Sequence, residues 1–88
     1  MAGHDSKPGH IAVGGQPYTF RVASEDGRQY FELLGSNHHS LISLVPYEVQ
    51  SQVKALGAHL DQGERLTTQE ARLVSSMIRA TRDGPLGP

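Results

Sequence analysis

A chain of 88 residues suits one small domain, and at this size folding buries only about 60% of the surface that the unfolded chain exposes. With 36% hydrophobic and 19% charged residues, the composition is too polar for a membrane protein and not charged enough for a wholly disordered one. The lack of cysteine excludes disulfides, thiolate zinc sites and cysteine nucleophiles, and the formal net charge of −1 means that nucleic acid could bind only to a local patch.

The chain starts with a polar stretch. Residues 1–9 show no apolar periodicity and contain Gly, Asp, Ser, Lys and Pro, which predicts a flexible arm. This stretch also lacks the apolar core of a secretory signal, and no apolar run approaches the ~18 residues of a membrane span. We therefore expect a cytoplasmic protein without membrane contact. We expect the folded domain over residues 10–83, with 84–88 as a flexible tail.

Residues 10–35, "HIAVGGQPYTFRVASEDGRQYFELLG", have the alternation and turn residues of three strands. A two-residue turn at Asp26-Gly27 places Arg21 opposite Glu32. It gathers the apolar residues Tyr18, Phe20, Val22, Phe31 and Leu33 on one face of the sheet. A second turn at Gly14-Gly15 adds Ile11 and Val13 to that face, although Pro17 then has to lie near a strand end.

The opposite face of this predicted sheet is more apolar than contact with solvent requires. It carries Tyr30 and Leu34, with Thr19 and Ala23, around the Arg21–Glu32 pair. Aromatic residues and arginine are enriched where proteins meet, so Arg21, Tyr30 and Leu34 are predicted interface residues. An exposed edge strand is a further place where a second copy can pair. The alternative is that a tail or a helix covers Tyr30 and Leu34 within the monomer.

A helical pattern follows in residues 43–63, "SLVPYEVQSQVKALGAHLDQG". Its apolar stripe consists of Val45, Val49, Val53, Leu56 and Leu60, which predicts a helix over 46–61. Pro46 fits the first turn and Gly63 the stop, whereas Gly57 indicates either close packing or a break. Just upstream, residues 40–45 form either a fourth strand or the lead into this helix, and we favour the strand.

A second amphipathic helix is predicted over 67–82. Thr67 and Glu70 have the spacing of a capping box, and Leu73, Val74, Met77 and Ile78 form the inward stripe. The residues Arg72, Ser75, Arg79 and Arg82 share another side. This side is a solvated face, a contact for an acidic protein, or a nucleic-acid reader. The link "DQGERL" is longer than a typical helix-turn-helix turn.

The histidines and serines show no pattern that indicates a site. His38 and His39 are adjacent and His59 ends the first helix, and neither arrangement has zinc-ligand spacing. We predict structural or loop roles, with a metal site or a pH-sensitive contact as alternatives. Serines near His38 and His39 meet only the proximity requirement of a catalytic pair. We expect no enzyme, no metal and no cofactor.

The sequence therefore predicts an α+β domain, with a short antiparallel sheet of three or four strands in the N-terminal half and two amphipathic C-terminal helices packed on it. The predicted function is that of a small non-enzymatic accessory or regulatory module that acts by protein–protein contact, including contact with a second copy as a homodimer. The predicted interface residues are Arg21, Tyr30, Leu34, Arg72, Arg79 and Arg82. The alternative is a nucleic-acid-binding regulator that uses Arg72, Ser75, Arg79 and Arg82.

Overall fold

The computed structural model describes residues 3–35 and 40–82, apart from the side chains of Ser40 and Arg82. Its fold is α+β, as predicted. The elements are β1 His4–Asp5, β2 Gly9–Val13, β3 Gln16–Glu25, β4 Arg28–Leu34, β5 Ser40–Leu44, α1 Gln50–Asp61 and α2 Thr68–Arg82. The strands form one antiparallel sheet in which β4 lies between β3 and β5, while β1 and β2 share the other side of β3.

Two tight turns set the register of the central strands. Asp26 and Gly27 have φ angles of 53° and 77°, and Gly14 and Gly15 have 59° and 81°. Positive φ at both central residues is the signature of a type I′ turn, whose twist matches that of the strands. The predicted pairings are confirmed for both hairpins.

Pro17 is tolerated because of its place in the second hairpin. Val13 and Gln16 close that hairpin, so the next pair, Ala12 and Pro17, exchanges no hydrogen bonds. The N–H that Pro17 lacks is therefore not needed by the β2–β3 ladder.

The beginning of the chain differs from the prediction. Residues 4–9, expected within a flexible arm outside the domain, pair with the sheet: His4 lies opposite Ser24 and Gly9 opposite Phe20. The Asp61 side chain holds this segment, since it contacts His4 Nε2 at 2.7 Å and accepts the Lys7 N–H at 3.0 Å. A contact with a residue this distant leaves no trace in local composition. The predicted tail, 84–88, lies outside the described residues.

The fourth predicted strand is present as β5, and the Gln50 side chain continues its ladder towards α1. Gln50 Oε1 accepts the N–H of Gln29, and Gln50 Nε2 donates to the carbonyls of Gln29 and Val45. A 3₁₀ turn at Tyr47–Val49 leads into α1, so the helix predicted from residue 46 begins as this turn. Gly63, with φ of 74°, ends α1 as predicted.

Both helices pack on the same face of the sheet, the core face. The buried core comprises Val13, Phe20, Val22, Phe31, Leu33, Val45, Val53, Leu56, Leu60, Val74 and Ile78. Gly57 marks close packing and not a break, because a Cβ there would lie 3.3 Å from the Cβ of Val22. The predicted capping box starts α2: the Glu70 N–H donates to Thr67 Oγ1, and the Thr67 N–H donates to Glu70 Oε1.

Candidate functional site

The face of the sheet opposite the helices is the outer face, and an ion pair lies at its centre. Arg21 Nε donates to Glu32 Oε1 at 2.5 Å, with Asp5 3.7 Å from the Arg21 guanidinium. The hydrogen bond that Arg21 donates to Glu32 raises the pKa of Arg21 above its ordinary value. Glu32 is only 5% exposed, and a buried carboxylate is costly without a partner. Arg21, on the same face of the sheet, is that partner.

Apolar side chains extend from this ion pair towards β5. Tyr30 and Leu34 are half-buried and lie on β4, on either side of Glu32. Across the ladder, Ile42 lies opposite Glu32 and Leu44 opposite Tyr30, and these two side chains are 61% and 53% exposed. The sequence prediction that Arg21, Tyr30 and Leu34 share a face is confirmed. No helix of the described chain covers them.

β5 is the free edge of the sheet. The N–H of Val45 donates to the carbonyl of Gln29 on β4. In an antiparallel ladder every second residue bonds to the same neighbouring strand, so the N–H and C=O groups of Leu41 and Ser43 also point to β4. The same groups of Ser40, Ile42 and Leu44 therefore point away from the sheet. No other strand among the described residues pairs with them.

Within the described part of the chain, this edge also lacks the features that prevent strands from pairing between molecules. Lysine, proline, bulges and covering elements are the usual protection of an edge strand. The sequence of β5, Ser-Leu-Ile-Ser-Leu, has no charge and no proline. The sequence predicts the strand but not the exposure of Ile42 and Leu44. The signal that could have indicated an exposed edge is the composition of β5, which is apolar and free of charge.

The arginines of α2 lie on a second surface. Arg72 and Arg79 are exposed and Ser75 is half-buried. Together they line a groove of about 550 Å³ between α2 and β2, whose other wall is Ile11 and Ala12. Three of the four predicted nucleic-acid residues therefore share one surface. The fourth, Arg82, has a side chain outside the described part.

The histidines have structural contacts. His59 Nδ1 lies 2.5 Å from Glu70 Oε2, and its Nε2 lies 3.7 Å from Glu64, so the end of α1 is joined to the start of α2. Glu70 uses its other oxygen for the helix cap. His38 and His39 lie outside the described residues. Among residues 3–35 and 40–82, no three His, Asp or Glu side chains converge as metal ligands would.

No family model, curated protein or solved structure matches the chain. Neither described helix has the length and apolar character needed to cross a membrane.

The polar groups inside the described fold are used to hold it together. Every buried side-chain nitrogen or oxygen atom in this part has a hydrogen-bond partner. Two surfaces of the described fold are candidate sites, the β5 edge with the adjoining outer face and the groove beside α2.

Proposed function

We propose that the chain is a small non-enzymatic accessory module that acts by protein–protein contact, and that its first partner is a second copy of itself. The observation that carries this proposal is the open edge of β5. Its backbone groups are unpaired within the described chain, and Ile42 and Leu44 are 61% and 53% exposed. Pairing of β5 with a second strand gives these backbone groups hydrogen-bond partners and at the same time buries these side chains.

Antiparallel pairing of two β5 strands gives a closed two-fold dimer. With the axis at Ile42, Ile42 faces Ile42 of the second copy, and Leu44 faces Ser40 of the second copy. All these residues have outward-directed backbone groups, so the pairs form hydrogen bonds in register. On the outer face, Leu44 then has Tyr30 of its own chain on one side and Ser40 of the second copy on the other. Leu34 of the second copy lies beyond that Ser40. This arrangement explains why Tyr30 and Leu34 have apolar surroundings on a face without a helix.

Charge supports the same pairing. β5 carries no ionisable side chain, so two copies bring no like charges together along the strand. The nearest buried charge, Glu32, already has Arg21 as its partner on the same chain. The dimer therefore desolvates apolar side chains and backbone groups without isolating a charge.

Amide hydrogen exchange at several protein concentrations tests this proposal residue by residue. We expect the amides of Ile42 and Leu44 to exchange quickly in dilute solution and to become protected as concentration rises. The amides of Leu41 and Ser43, bonded to β4, are the internal control and should be protected throughout. Concentration-independent exchange at Ile42 and Leu44 contradicts the proposal.

A charge placed at the two-fold axis provides an independent test. In Ile42→Lys, two lysines face each other in the dimer, so we expect self-association by sedimentation to weaken by roughly tenfold or more. Ala58→Lys adds the same charge at an exposed position of α1 and should leave the dimer unchanged. Equal association of both variants excludes the β5 interface.

A further inference from the structure

The groove between β2 and α2 has the form of a site for an extended peptide. Its volume is about 550 Å³, and one wall is the strand segment Ile11–Ala12. The other wall runs along α2 from Thr68 to Arg79 and includes Ala71, Arg72, Ser75 and Ser76. At 1.5 Å per residue this wall is roughly 16 Å long, the length of about five residues of extended chain.

The backbone of β2 has free hydrogen-bonding groups beside this groove. Val13 and Gln16 close the β2–β3 hairpin as a hydrogen-bonded pair, so Ile11 and Gly9 also bond to β3. The N–H and C=O groups of His10 and Ala12 are therefore directed away from β3. Within the described ranges, no strand pairs with β2 on that side.

The helical wall of the groove is positively charged. Arg72 and Arg79 are exposed, neither forms an ion pair with a described residue, and no carboxylate among the described residues lines the groove. Arg72 and Arg79 are seven positions apart on the helix, so their Cα atoms are roughly 10 Å apart along its axis. Carboxylates two to four residues apart on an extended peptide span a similar length, about 7 to 13 Å.

We infer that this groove binds an acidic peptide segment in extended conformation, added to β2 as a further strand. The free groups of His10 and Ala12 bond to the peptide backbone, while Arg72 and Arg79 pair with its carboxylates. Backbone pairing with a strand edge is specific to a polypeptide, so the groove favours a peptide over nucleic acid. The site lies at the sheet edge opposite β5 and does not rest on the proposed dimer.

The direct test is an amide chemical-shift titration with the peptide acetyl-Glu-Val-Glu-Val-Glu-amide. We expect shifts at His10, Ala12 and the groove side of α2, and none with the matched peptide in which lysine replaces each glutamate. By fluorescence anisotropy, Arg72→Gln and Arg79→Gln should each weaken binding about threefold, the effect of an exposed ion pair. Arg28→Gln, a change at another exposed arginine far from the groove, should have no effect. Absence of binding, or equal effects of all three variants, overturns the inference.

The backbone contact is tested separately. Ala12→Pro removes an N–H that points away from β3, so the β2–β3 ladder remains while peptide binding should fall at least several-fold. Independently of how that variant folds, methylation of alternate peptide nitrogens should abolish binding to the unmodified protein. Retained affinity with the methylated peptide overturns strand addition. Tighter binding of a mixed-sequence DNA duplex to the same residues, lost steeply with salt, overturns the peptide assignment in favour of nucleic acid.

Discussion

Ser6 shows how one side chain completes the sheet where the chain passes from β1 to β2. Its hydroxyl accepts the N–H of Val22 at 2.9 Å and donates to the carbonyl of Lys7 at 2.9 Å. The Ser6 N–H in turn donates to the carbonyl of Val22. Ser6 is only 5% exposed, so no solvent replaces its hydroxyl. The serine side chain therefore serves as the acceptor for a ladder hydrogen bond.

Ser6→Ala should lower the free energy of unfolding by about 1–3 kcal/mol, because it leaves the buried Val22 N–H without an acceptor. Urea denaturation followed by circular dichroism measures this change. Ser51→Ala, at an exposed position of α1, is the matched control and should remain within about 0.5 kcal/mol of the unsubstituted protein. A similar loss in both variants would show that the Ser6 hydroxyl has no special role.

At the scale of elements, Asp61 at the end of α1 joins the segment that contains β1 to the helical layer. The hydrogen bond with His4, and then the one from the Lys7 N–H, lower the pKa of Asp61 below its ordinary value of 3.8. A carboxylate with a lowered folded-state pKa stabilises the fold above its unfolded pKa. That contribution is lost as pH falls through the folded-state value.

We therefore expect β1 to separate from the domain in acid before the core unfolds. As pH falls through the folded-state pKa of Asp61, which lies below 3.8, the amide signal of Lys7 should shift and its protection against exchange should decrease. The amide of Phe31, in the central β4 strand, should not yet change. In Asp61→Asn the Lys7 signal should lose this pH dependence, and an unchanged titration in that variant would assign the transition to another carboxylate.

The local elements could be predicted from the sequence because local chemistry determines them. The Asp26-Gly27 and Gly14-Gly15 turns fix the register, and the Thr67–Glu70 capping box fixes the start of α2. Packing between distant segments could not be predicted. Nothing near His4 indicates Asp61 as its partner. Five residues separate β4 from β5 in the sequence, too many for the two-residue turn rule to place Ile42 opposite Glu32, and no pattern in α2 shows that Arg72 lies beside Ala12.

At the scale of the whole molecule, the outer face and the β5 edge form one continuous surface. Leu34 lies opposite Ser40 on β5, and in the proposed dimer Ser40 lies opposite Leu44 of the second copy, so Leu34 belongs to the same row of side chains as the interface. Arg72 and Arg79 lie beyond the other edge, on α2. Substitutions at the two surfaces should therefore act independently.

Leu34→Asp should weaken self-association several-fold, because Leu34 is already half-buried in the single chain and only its remaining exposed surface can be buried in the dimer, and the effect should depend little on salt. Thr19→Asp adds a carboxylate to the same face, on β3 and farther from β5, and is the control. Sedimentation at low and moderate salt measures both variants. A strong salt dependence, or equal weakening in both variants, would contradict an interface formed by apolar burial at β5.

The two edges of the sheet also determine how far assembly can proceed. Pairing of β5 with β2 of another molecule would leave a free edge at each end and would grow into an open fibre. α2 stands beside β2, and the groove between them has a volume of about 550 Å³. We expect the helix to block pairing of β2 with a folded copy, because the sheet and helices of a second domain occupy far more space than one strand. In the proposed dimer, growth would therefore end at two chains.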